Sequence, residues 1–116
     1  MLMDSRIITE SITRAELRKI AEERFGDLVK AVVDIESRTM ALGSELHADE
    51  EAALLEQGSK QNNLWGINLY PDILNDGWIE FDSMINVRPS LNNRSRSIED
   101  ETIRKKIVEI VNNLIK

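Results

Sequence analysis

Between Trp78 and Arg88 the chain reads WIEFDSMINVR and alternates strictly in character. Ile79, Phe81, Ile85 and Val87, with Ser83 among them, fall on one side of a two-residue period. Glu80, Asp82, Met84, Asn86 and Arg88 fall on the other. A period of two over this length predicts a strand with one buried and one wet face. No other stretch constrains the fold as much, because a half-buried strand needs neighbours to pair with and a layer to cover its apolar side. Residues 89–97 then lose the period and gather Ser90, Asn92, Asn93, Arg94, Ser95, Arg96 and Ser97. A polar strand face thus runs into an arginine-bearing loop, and that loop feeds a helix.

The rest of the chain supplies the partners. A short β-like start at Arg6 to Thr9 precedes a helix announced by a capping box, Thr13 with Glu16, and by a hydrophobic staple, Ile12 with Leu17. Leu17, Ile20, Ala21 and Phe25 form its apolar stripe, and Gly26 stops it. Val29, Ala31, Val33 and Ile35 alternate with polar residues as a strand, and a turn at Ser37 and Arg38 leads to a returning strand from Thr39 to Leu42. A second helix is expected from about Ala48 to Gln57, lined by Ala48, Ala52 and Leu55 with Leu54 beside them. A strand from Leu64 to Tyr70 follows, with Trp65, Ile67 and Leu69 inward. A last helix carries Ile103, Ile107, Ile110 and Leu114 at helical spacing, capped by Asp100 or Ser97.

The order (β)αββαββα predicts one α+β domain over residues 1–116. Its sheet is mostly antiparallel, with helices mainly on one face. Leu17, Ile20, Phe25, Val33, Leu55, Trp65, Ile67, Phe81, Ile85, Ile107 and Leu114 are the expected core. If Tyr70 faces Trp78 across a hairpin, Asn68 falls beside Glu80 and Gly66 near Asp82, leaving space over Asp82. The uncovered sheet face would then carry Asn68, Tyr70, Glu80, Asp82, Asn86 and Arg88.

Charge is unevenly spread. Residues 39–87 hold one base, Lys60, against nine acids, whereas 88–116 hold seven bases and four acids. Nucleic-acid backbones are bound by broadly basic surfaces, so this distribution disfavours them. No apolar run approaches the ~20 residues that cross a bilayer, and no membrane partner is expected. With no cysteine and no secretory signal in the sequence, the expected compartment is the cytoplasm.

Two residue groups carry candidate chemistry. Asp82, Asn86, Arg88, Asn93, Arg94 and Arg96 combine a carboxylate, two amides and three guanidinium groups able to grip a carboxylate or phosphate in bidentate fashion. The plainer reading makes them the solvated face of a sheet, with Arg94 and Arg96 paired to Glu99, Asp100 and Glu101. The second group surrounds the sole histidine, His47, with Glu45 and Asp49 beside it and Glu50 and Glu51 following. Imidazole plus carboxylates suits acid–base work near neutral pH. Metal-ligand spacing is missing, and a solvated first helical turn is the simpler account, so neither a metal nor a cofactor is expected.

The segments GSELHADEEAALLEQGSKQNNLWGINLYP and IEFDSMINVRPSLNNRSR resemble a small prokaryotic family of short proteins classed as a domain of unknown function. The likeness spans roughly Gly43 to Arg96. It implies no reaction, cofactor or catalytic residue. Two function classes follow from the residues themselves. One is a domain that binds, or a small enzyme that acts on, an anionic small molecule. The other is a protein–protein interaction module or homo-oligomer without ligand chemistry.

Overall fold

A computed structural model describes residues 5–116. Five strands, β1 (Arg6–Ile8), β2 (Val29–Asp34), β3 (Thr39–Leu42), β4 (Leu64–Leu69) and β5 (Ile79–Glu80), form one sheet in the order β1-β3-β2-β4-β5. Every pairing is antiparallel. With α1 (Arg14–Arg24), α2 (His47–Glu56) and α3 (Glu101–Leu114), the chain is the α+β domain that its periodicities predict.

Local chemistry sets the element ends. The Thr13 hydroxyl accepts the Glu16 N–H at 3.0 Å and starts α1, and Gly26 ends it with φ +94°. Asp100, not Ser97, caps α3: its carboxylate accepts the Thr102 N–H at 2.8 Å, while the Ser97 hydroxyl accepts from Arg104. The β2–β3 turn is held by Asp34, whose Oδ1 accepts N–H groups from Glu36 and Ser37.

Helices α1 and α3 cover one face. Leu17 and Ala21 from α1 and Ile107, Ile110, Val111 and Leu114 from α3 bury Val29, Ala31, Val33, Met40, Leu42, Trp65, Ile67 and Leu69. α2 lies on the other face, where Leu54 packs with Val32, Ala41 and Leu64, and Ile7 and Ile85 close the edges. The central strands are therefore apolar on both sides over part of their length. Two expected core residues stand outside it. Leu55 is exposed because Leu54 takes the inward position on α2, and Phe25 is exposed at the end of α1, with the Lys30 ammonium over its ring.

The expected register holds. Asn68 is opposite Glu80, and Tyr70 donates to the Trp78 carbonyl at 2.8 Å. The expected long strand does not, because β5 ends at Glu80 and residues 84–86 turn as a 3-10 helix. The alternation misleads here because Ser83 and Asn86 are both buried while Met84 and Val87 are exposed. Beyond β5 a side chain takes the place of the missing strand. Gly66 donates to Asn86 Oδ1 at 2.8 Å, and Asn86 Nδ2 donates to the Gly66 carbonyl at 2.9 Å. A carboxamide has the same donor and acceptor pair as a peptide group, so it completes the ladder of β4. Gly66 is required beneath it: a Cβ there would lie 2.6 Å from that of Ser83. The space expected over Asp82 is thus filled by Ser83 and Asn86.

Asn86→Ala leaves two buried peptide groups of Gly66 unpaired and should lower stability on the order of 3 kcal/mol in urea titration. Gly66→Ala forces Ser83 aside and should cost about 1–3 kcal/mol. A loss below ~0.5 kcal/mol in both would contradict the side-chain ladder.

Candidate functional site

The segment after β5 is folded by its own amides. Asn93 Nδ2 donates to the Asn86, Ser95 and Ser97 carbonyls, and its Oδ1 accepts the Glu99 N–H at 2.8 Å. Asn86 Nδ2 also donates to the Arg96 carbonyl at 3.0 Å. These two asparagines spend their polar groups on backbone. Arg88 is likewise committed inward. It donates to the Leu64 carbonyl at 2.6 Å and to Glu51 at 3.0 Å, with its guanidinium over the Trp65 ring. The Arg88 and Glu51 side chains are only 11% and 13% exposed, so the pair clamps residues 84–91 to α2.

Asp82, Arg94 and Arg96 behave differently. Arg96 donates to Asp82 at 2.7 Å in an open pair, 56% and 43% exposed. Arg94 is exposed, and among the described residues its side chain has no ion-pair partner. The acids expected to pair with these arginines do not: Glu99 instead accepts the backbone N–H groups of Arg94 and Ser95.

The structure brings the histidine to this region. His47 opens α2, is 9% exposed, and its Nε2 lies 2.8 Å from the Ile67 carbonyl. A carbonyl only accepts, so Nε2 carries the proton and Nδ1 the lone pair. Burial holds the imidazole below its ordinary pKa; Lys30, Asp82 and Arg96 are the charged groups that act on it through space. Next to Ile67, Asn68 is cross-strand to both Lys30 and Glu80. Its Nδ2 donates to Glu80 at 2.9 Å and to the Asp82 carbonyl at 3.1 Å, while Tyr70 also donates to Glu80. Lys30, Asn68 and Glu80 therefore form one polar row across three strands, with His47 at one side and Asp82–Arg96 at another. Lys30 has no ion pair among the described residues. Glu45 and Asp49 are exposed and do not join the row, and no three His, Cys, Asp or Glu side chains among the described residues form a metal-binding group.

Against known proteins, a family model described as "Protein of unknown function (DUF5674)" matches residues 6–114. The chain belongs to the DUF5674 family. The match extends well beyond the segment between Gly43 and Arg96 that carries the sequence resemblance, and it takes in the whole of α1 and α3. No curated protein and no solved structure matches the chain. In this DUF5674 domain no helix among the described residues is long and apolar enough to cross a membrane.

Sequence reasoning passed over two residues here. Lys30 reads as one more outward residue of an alternating strand. Glu50 reads as part of a solvated acidic turn, yet it is fully buried, three residues from His47 on the same face of α2. Its Oε2 accepts the Ser44 N–H at 3.0 Å, and its Oε1 is enclosed with no partner among the described residues. Burial drives its pKa up to about 9, against the smaller opposing effects of the Ser44 N–H and Lys30.

A carboxyl that keeps its proton to about pH 9 when folded, and releases it near 4.5 when unfolded, makes the folded state the greater proton binder between those values. Stability should therefore fall as pH rises through that window, by up to ~1.4 kcal/mol per unit. Glu50→Gln keeps the acceptor for Ser44 and should flatten this slope in denaturant titrations at pH 5 and pH 8. An unchanged slope would mean that Glu50 ionises normally. For Arg88, replacement by Ala strands the enclosed Glu51 charge and should cost about 3–5 kcal/mol. Arg88→Lys should also destabilise measurably, because an ammonium cannot span Leu64 and Glu51 with a planar fork.

Proposed function

We propose that this domain binds a small anionic molecule, bearing a carboxylate or phosphate, on the open part of its second sheet face. The observation that supports this reading is the polar row Lys30–Asn68–Glu80 beside α2, in which Asn68 is buried between a part-exposed Lys30 and an exposed Glu80, with Arg96 paired to Asp82 nearby in sequence. Lys30 is a cation without an ion pair among the described residues, and Arg94, exposed on the loop that carries Arg96, is another. Asn86, Arg88 and Asn93 serve the site indirectly by fixing the segment that carries Asp82, Arg94 and Arg96.

A second reading, an interaction module or homo-oligomer, draws on the exposed apolar side chains Leu46, Leu55, Met84 and Leu74. Sedimentation separates the two. A monomer stabilised by phosphate or citrate supports the first, and a concentration-dependent dimer indifferent to both supports the second.

The direct test is thermal-shift and calorimetric titration with phosphate and small carboxylates. Lys30→Ala and Arg96→Ala should each weaken binding about 10- to 100-fold, the range for a charge-assisted contact. Stability should change little, since the Arg96–Asp82 pair is open to solvent. Binding should weaken as salt is added. Variants that bind like wild type would overturn the assignment.

A further inference from the structure

His47 is the residue of this site whose geometry is most specific. It is nine-tenths buried, its Nε2–H is consumed by the Ile67 carbonyl, and Nδ1 has no hydrogen-bond partner among the described residues. Nδ1 is not among the fully enclosed side-chain atoms that lack a partner among the described residues. An imidazole pinned at one nitrogen has a fixed ring plane and a fixed tautomer. Its remaining lone pair is a directed acceptor, not a rotating one. The surroundings hold its pKa below the ordinary value. Burial is the main cause, and Lys30 and Arg96 add to it, while the hydrogen bond to Ile67 and the Asp82 charge act the other way; the ring also sits at the start of α2, where the helix dipole opposes positive charge.

A site with cations to hold an anion and a fixed neutral acceptor beside them discriminates among anions. A ligand that places an O–H or N–H against Nδ1 gains a hydrogen bond, whereas one that places a lone pair there leaves the acceptor desolvated and unpaired. Resting on the anion-binding reading above, we infer that His47 is the specificity-determining acceptor of this face, and that the molecule bound carries a hydrogen-bond donor next to its anionic group. Small α-hydroxy or α-amino carboxylates have this chemistry; simple carboxylates do not.

Glycolate and acetate differ by that one hydroxyl and serve as probes. Because His47 is the only histidine in the chain, a long-range ¹H–¹⁵N correlation spectrum of labelled protein reports a single imidazole. The free protein should show the neutral tautomer protonated at Nε2. Glycolate should move the Nδ1 resonance and bind at least tenfold more tightly than acetate, which should leave Nδ1 in place. His47→Gln is the matched variant: its amide N–H can still donate to Ile67, but it has no group at the Nδ1 position. It should lose the preference for glycolate and bind the two probes with equal affinity.

Equal binding of the two probes by wild type, with binding still sensitive to Lys30→Ala, overturns this inference and leaves the anion-binding reading standing. A preference that survives His47→Gln also overturns it. If neither probe binds, both fall. Should His47→Gln fail to fold, the wild-type Nδ1 response decides: movement with glycolate alone sustains the inference, and any other pattern overturns it.

Discussion

The pairing of Asn86 with both peptide groups of Gly66 is the contact on which the second sheet face and the segment after β5 rest. It solves a particular problem. β5 ends after two residues, yet β4 continues back to Leu64, so part of a central strand faces a chain that is no longer extended. Exposed peptide groups could be left to water, but this region is buried beneath Ser83 and Ile85. A carboxamide satisfies donor and acceptor together and leaves its own backbone free to turn. The turn then sends the chain in two directions at once. Arg88 goes under α2 to Glu51, and Arg96 goes over the sheet to Asp82. The helix and the arginine-bearing loop are therefore placed by one amide.

The two arginines illustrate how burial assigns roles to identical chemistry. Arg88 makes an ion pair, a backbone hydrogen bond and a stacking contact in a nearly closed setting, so removing it exposes the cost of an isolated charge in Glu51. Arg96 makes one ion pair in the open, where solvent competes for both partners and the pair is worth ~1 kcal/mol or less. A contact that weak is easily exchanged for one to a ligand. The same reasoning separates Asn93, whose amide serves three carbonyls, from Arg94, whose side chain is unengaged among the described residues.

Much of the architecture was legible because it depends on short-range rules. Thr13, Gly26 and the stripe through Ile107, Ile110 and Leu114 act within a few residues of themselves, and the hairpin from Tyr70 to Trp78 fixes the register of Asn68 against Glu80. What was not legible depends on contacts far apart in the chain. The period of two in 78–88 is a property of residue types, and it cannot register that an asparagine will act as a strand. Leu54 and Leu55 are equivalent to a hydropathy count and differ only by which one faces Val32 and Ala41. Glu50 looks like its acidic neighbours until α2 is laid on the sheet. Lys30 joins a polar row only once Asn68 is seen beside it.

The placement of Glu50 has a consequence for the charge of the site. Three acids, Asp49, Glu50 and Glu51, begin α2, and if all three were ionised and free they would oppose any anion near His47. The fold removes two of them from that balance by different means. Glu50 is buried and protonated at neutral pH, and Glu51 is neutralised by Arg88. Only Asp49 remains as an exposed charge in that turn. The acidity of the middle of the sequence, which argues against anion binding when counted residue by residue, is thus much reduced where α2 meets the sheet. The cations of Lys30 and Arg96 face less opposition there than the sequence suggests, and Glu80, held by Asn68 and Tyr70, and Asp82, held by Arg96, are the acids that remain in the row.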